Sequence, residues 1–225
     1  MFNNYLFRCS QLGKIMTDGR TKGTIGETCL KYLNEIYISE VYKRTNEVSS
    51  KFMEKGTLVE ETSISLLSNV DKKLYFKYKG APLKNEYVKG TPDIISGIDI
   101  KSSWNLYTFF NSEATKDNYW QAMGYMWLTG TTEWVIAYAL VNSPEHIIER
   151  EEKSLFYKMG IDSAEHPDYL LAVAELRRNM VFDDIEETKR IKKYPIQYDE
   201  SEIQNLQTRI IKCKEILNEM YKQNK

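Results

Sequence analysis

The sequence predicts one α/β domain with a helical insertion at about residues 143–189. Three patterns carry that expectation. Residues 74–79 and 86–91 alternate apolar and polar side chains, the period of a half-buried strand. The run from Glu133 to Val141 is rich in β-formers and short enough for a central strand. Apolar stripes at helical spacing lie toward either end: Ile25, Cys29, Leu33, Ile36 and Tyr37, then Ile203, Leu206, Ile210, Cys213, Leu217 and Met220. Strands set among amphipathic helices bury their apolar faces by layering.

Residues 1–23 read as irregular, with Arg20-Thr21-Lys22-Gly23 a basic loop. Thr24-Ile25-Gly26-Glu27 has the spacing of a capping box, and the helix it opens reaches about Arg44. Ser49 or Ser50 caps a second helix through about Leu67. Gly56 interrupts that helix, as a small residue does where another backbone or DNA comes close. Asp117 or Asn118 starts a helix to about Leu128, and its Tyr119, Trp120, Met123, Met126 and Trp127 require burial on most sides. Ser143-Pro144-Glu145 opens the charged helical stretch that extends to about Lys189, with proline tolerated in the first turn. Lys192 to Tyr198 reads as a strand, and Asp199-Glu200-Ser201-Glu202 begins the C-terminal helix. No repeat, Gly/Ser-rich linker or low-complexity tract divides the chain, so 225 residues are expected to share one core.

A formal net charge of -1 gives no global basic field, so any nucleic-acid surface has to be a local patch. The three cysteines, Cys9, Cys29 and Cys213, match no zinc or iron–sulfur spacing, and their odd number argues against a disulfide framework. No apolar run has the length of a membrane span or of a signal peptide core, so a cytoplasmic, reducing setting is expected.

The chemistry is concentrated in Gly90-Thr91-Pro92-Asp93-Ile94-Ile95-Ser96-Gly97-Ile98-Asp99-Ile100-Lys101. If Ile95-Ser96-Gly97 is a three-residue loop with Gly97 left-handed, Ile94 lies opposite Ile98 and Asp93 opposite Asp99. Cross-strand partners share a face, as do residues two apart on one strand. Asp93, Asp99 and Lys101 then converge on one side while Ile94, Ile98 and Ile100 enter the core behind them. A two-residue turn would send Asp93 to the other face. Carboxylates beside a lysine suit a magnesium-dependent phosphodiesterase, in which the acids hold the metal and the lysine positions water. Such a site wants another carboxylate. Glu60 is a candidate, one helical turn beyond Gly56. Gln121, set in a largely apolar helix, must find hydrogen-bond partners when buried.

Together these motifs have the order and spacing of a known group. Gly56-x-x-x-Glu60, Gly90-Thr91-Pro92-Asp93, Asp99-Ile100-Lys101 and Tyr119-Trp120-Gln121-Ala122-Met123-Gly124-Tyr125-Met126-Trp127 resemble the lambda-type phage exonucleases. Those belong to the YqaJ-like viral recombinases of the PD-(D/E)xK nuclease superfamily. Cys9-Ser10-Gln11-Leu12-Gly13-Lys14-Ile15-Met16 is similar to that group's N-terminal serine motif, and only about 143–189 lies outside the resemblance. It implies a restriction-endonuclease-like core, a central mixed sheet flanked by helices. It implies Mg²⁺, with Mn²⁺ as a substitute, on Glu60, Asp93, Asp99 and the Ile100 carbonyl. Lys101 would orient water and Gln121 would support Lys101 or the phosphate. Ser10 and Thr91 match positions that hold a terminal 5′-phosphate, and Arg20 falls where a DNA-contacting arginine sits. Two departures stand out: Asn3 occupies the position of an upstream arginine, with Arg8 closer in, and Asp99 replaces the commoner glutamate.

By the same resemblance the substrate is DNA, chiefly duplex ends digested 5′ to 3′, and the role is homologous recombination. A single-strand annealing protein is the implied partner, and a ring-like trimer the implied assembly. Two alternatives remain open from sequence: an endonuclease of the same superfamily, restriction-like or junction-resolving, and a non-catalytic DNA-binding module on a degenerate nuclease fold.

Overall fold

The computed structural model describes residues 1–46 and 50–224. Its strands form two mixed, three-stranded sheets flanked by helices, where the sequence suggested one central sheet.

The first sheet orders β1 (Phe7–Arg8), β3 (Val88–Gly90) and β2 (Leu83–Lys84). β1 runs parallel to β3, with Arg8 opposite Lys89, and β2 runs antiparallel, with Lys84 opposite Lys89. The N-terminus is therefore more regular than expected: β1 leads through a 3₁₀ turn (Cys9–Gln11) into the short helix α1 (Leu12–Ile15). Phe7, Cys9, Leu12 and Ile15 are fully buried and anchor it. So few residues have too little periodicity to register as elements in a sequence.

Helix α2 (Glu27–Tyr42) begins at Gly26 without a side-chain cap, because the Thr24 hydroxyl donates back to the Thr21 carbonyl at 2.6 Å. Ser50 caps α3 (Lys51–Leu58), its hydroxyl accepting from Met53 N; Ser49 lies outside the described residues. The break expected at Gly56 falls at Val59, which leaves helical dihedrals (φ -104°, ψ 11°) before α4 (Glu60–Asp71). Val59 is thereby driven into the core against Ile64, Leu67, Ile94, Ile98 and Ile100. Residues 74–79 form no strand, since no neighbour pairs with them along a ladder. Tyr78 N instead donates to the Asp93 carbonyl at 2.7 Å.

The second sheet orders β4 (Ile98–Ser102), β5 (Glu133–Ala139) and β6 (Ile191–Gln197), β4 and β5 parallel and β6 antiparallel to β5. Its two faces serve different cores. Trp134 and Ile136 pack with α6 (Lys116–Thr129) and α9 (Glu200–Gln223), whereas Ala137, Ala139, Ile98 and Ile100 pack with α4. Thr115 caps α6 through a reciprocal box with Asn118, and Asp199 caps α9. Arg209 of α9 ties that helix to the N-terminal region through Asp18 and the Thr24 carbonyl. The three cysteines are buried and free, Cys29 and Cys213 meeting at 3.7 Å between α2 and α9. Between β4 and α6 lies α5 (Leu106–Phe110). After β5 come α7 (Glu145–Met159) and α8 (Pro167–Arg178), which share a small core of Ile147, Ile148 and Met180 with Trp104. Among the described residues no helix is long and apolar enough to cross a membrane.

Candidate active site

The acidic hairpin adopts the three-residue loop. Ile94 and Ile98 exchange both backbone bonds (3.3 and 3.4 Å), and Gly97 takes φ 91°, a left-handed conformation open to glycine. Pairing then stops at a single bridge. Asp93 is held differently: its Oδ2 accepts from the Ile100 backbone N–H at 2.8 Å. Ile94, Ile98 and Ile100 enter the core under α4, so Asp99 and Lys101 face the other way, toward α6.

There Gln121 joins the two. Its Nε2 donates to Asp99 Oδ1 at 2.9 Å and its Oε1 accepts from Lys101 Nζ at 3.2 Å. Asp99 is fully buried. Lys101 Nζ stands 2.6 Å from Asp99 Oδ2, a close ion pair that supplies this buried oxygen with its counter-charge. Burial alone would lower the Lys101 pKa; Asp99 and Asp93 outweigh it and hold the ammonium above its ordinary value. Burial, then the Asp99 charge, push Asp93 the other way, up to about 7, against the lowering by Lys101 and the Ile100 N–H.

Glu60 begins α4, where the helix N-terminus favours a carboxylate. It shares a cavity of about 440 Å³ with Phe52, Gly56, Asp93, Ile100 and Lys101. A Cβ on Gly56 would meet nothing within 4 Å, so this side of the cavity is open. Glu60 Oε2 accepts from Lys77 Nζ at 3.0 Å. Among the described residues no group of three or more His, Cys, Asp or Glu side chains stands close enough to hold a metal. Two ammonium groups neutralise carboxylates here, Lys77 that of Glu60 and Lys101 that of Asp99.

A second cavity, of about 380 Å³, is lined by Gly90 and Thr91 of the stretch leading to Asp93. Arg8, Ser10, Lys89, Thr91 and Tyr125 are among its lining residues. Ser10 and Thr91, far apart in sequence, are thus brought together. Gly90 permits it: a Cβ there would stand 2.7 Å from Tyr125 Cε1 and 3.0 Å from Cys9 Sγ. Tyr125 donates to the Thr91 carbonyl at 2.9 Å, one turn along α6 from Gln121. Arg20 lines neither cavity and lies exposed on the loop between Asp18 and Ile25.

No protein-family model matches the chain, and no curated protein matches it in sequence. Solved structures do. A phage-related exonuclease from Haemophilus somnus superposes with a TM-score of 0.79 at 22% identity, covering 99% of this chain and 97% of that one. An alkaline exonuclease from Laribacter hongkongensis follows with a TM-score of 0.63 at 11% identity, covering 99% and 94%. The chain has the fold of these exonucleases. The Laribacter enzyme in complex with dAMP matches it with a TM-score of 0.61.

Sequence reading assigned no role to Lys89, which lines the second cavity, or to Lys84 and Lys77 beside the two sites. Arg8 and Lys89 are register partners on β1 and β3, and Lys84 continues the row on β2. Like charges set opposite one another destabilise a sheet unless an anion neutralises them. The alternation at 86–91 pointed to β3, but the two-residue strands β1 and β2 gave no signal for this row. Lys77, paired with Glu60, had as its sequence signal only a lysine within an aromatic run.

Proposed function

We propose that the protein is a metal-dependent deoxyribonuclease that digests duplex DNA ends from the 5′ terminus, in the service of recombination. The observation that carries this reading is the Asp99–Gln121–Lys101 linkage beside Asp93 and Glu60, at the edge of one open cavity. Its donors are hard oxygens: the Glu60 and Asp93 carboxylates line the cavity together with Ile100, and such a set suits a hard cation. As they stand these carboxylates do not converge on one point; once Lys77 yields Glu60, a magnesium or manganese ion on Glu60, Asp93, Asp99 and the Ile100 carbonyl would supply Lewis-acid activation of the phosphodiester and its nucleophile.

The protein groups do the positioning. Lys101, held charged by Asp99 and Asp93, orients the attacking water and stabilises developing negative charge; it is not a free base. Gln121 fixes Lys101 and Asp99 relative to each other. Polarity is supported by the second cavity. Arg8 and Lys89 supply positive charge, and Ser10 and Thr91 supply hydroxyl donors, a set that suits a terminal phosphate dianion. Gln121 and Tyr125 are four residues apart on α6, so the two cavities are addressed from points about 6 Å apart along that helix.

The test uses end-labelled linear duplexes with and without a 5′-phosphate, and a closed circle, in Mg²⁺. Mononucleotide release from the phosphorylated linear duplex, with the circle left whole, is expected. Arg8→Ala should erase the preference for the phosphorylated end while leaving cleavage of the unphosphorylated duplex near its wild-type rate. Cutting of the circle would favour an endonuclease, and full activity in a folded Asp93→Ala variant would remove the site assignment.

A further inference from the structure

Lys77 is not an ordinary surface ion-pair partner. Its ammonium lies 3.0 Å from Glu60 Oε2, with both side chains largely shielded from solvent, at 34% and 21% exposure. The neighbouring pair, Lys79 and Glu61, is 3.8 Å apart and exposed at 79% and 70%. The backbone also places Lys77. The next residue, Tyr78, donates its N–H to the carbonyl of Asp93 at 2.7 Å, so the lysine is tethered to a residue of the carboxylate cavity itself. Its ammonium lies in the combined field of Glu60, Glu61 and Asp93.

We propose that Lys77 is the resident counter-cation of Glu60, which a divalent ion must displace to reach that carboxylate. The assignment rests on the metal-dependent reading above. Charge balance is the physical reason. Glu60 and Asp93 line one cavity, Asp93 feels the charges of both Asp99 and Glu60, and Lys101 forms its ion pair with Asp99 alone. A second cation near Glu60 reduces the repulsion that three carboxylates would otherwise generate. When a dication takes Glu60, the same lysine becomes a like charge beside it and swings away. The side chain has a flexible four-carbon stem for this movement. Lys77 thus sets the threshold concentration at which the metal enters, apart from any part in cleavage.

Calorimetric titration of Mn²⁺ into the full chain at pH 8 tests this without reference to activity. Lys77→Met should bind Mn²⁺ roughly two- to fivefold more tightly, the factor that a shielded surface ion pair of this kind is worth. Lys77→Arg keeps a cation in place and should stay at wild-type affinity. Lys79→Met, with the same loss of charge at the exposed pair, should change nothing. On a Glu60→Gln background the Lys77→Met gain should vanish, because the coupling it reports is gone. Unchanged or weaker binding by Lys77→Met overturns the proposal, as does an equal gain in Lys79→Met or on the Glu60→Gln background. A wild-type protein that takes up no Mn²⁺ overturns both this assignment and the metal-dependent reading; binding by the wild type with no response to Lys77→Met overturns this assignment alone.

Discussion

Replacing Asp93 by asparagine should stabilise the metal-free protein while abolishing cleavage. Burial and the Asp99 charge lift the Asp93 carboxyl from its ordinary 3.8 to about 7. A carboxyl whose folded-state pKa is raised binds more protons folded than unfolded between those two values. Its contribution to stability therefore falls as pH rises from about 4 to about 7 and is flat beyond. About three pH units at about 1.4 kcal/mol each set an upper bound of about 4 kcal/mol on the cost of ionised Asp93 at pH 8. Asparagine removes that charge, and its carbonyl can still accept from the Ile100 N–H. The attraction to Lys101 is already contained in that net shift, and dielectric relaxation around the charge brings the expected gain to about 1–3 kcal/mol. Urea denaturation in EDTA at pH 8 and pH 5 measures it. The gain should shrink at pH 5, where Asp93 is already protonated in the folded chain. A variant less stable than wild type at pH 8, or a gain as large at pH 5, would refute the electrostatic reasoning.

Lys101→Met leaves the buried Asp99 carboxylate without its counter-charge, so about 3 kcal/mol of stability should be lost in EDTA and cleavage should fall at least about 10²-fold. Thermal melts with and without Mn²⁺ check the cause, since the metal should restore part of the loss. Gly90→Ala places a methyl 2.7 Å from Tyr125 Cε1, and about 1–3 kcal/mol should be lost as the ring is pushed from the Thr91 carbonyl. An unchanged denaturation midpoint would show that the ring yields freely.

The long elements were legible because each repeats a period over enough residues to average out exceptions. The stripe of Ile203, Leu206, Ile210, Cys213 and Leu217 is buried in α9 as its spacing requires. The β5 run is a central strand between β4 and β6. Alternation failed at 74–79, where side-chain period matched a strand and no strand among the described residues pairs with it. Helix breaking at Gly56 failed for a related reason: propensity is a weak local term, and burying Val59 outweighs it.

By itself the sequence determined the hairpin register and the facing of Asp99 and Lys101, because side chains on a strand alternate strictly and Gly97 admits the one loop that keeps Ile98 and Ile100 inside. Tertiary structure alone decided which charges meet across elements. It set Lys77 on Glu60, placed Gln121 between Asp99 and Lys101, and ranged Arg8, Lys89 and Lys84 in one row beside Ser10 and Thr91. Such contacts depend on how separate segments pack in space, and no periodicity within a segment encodes them.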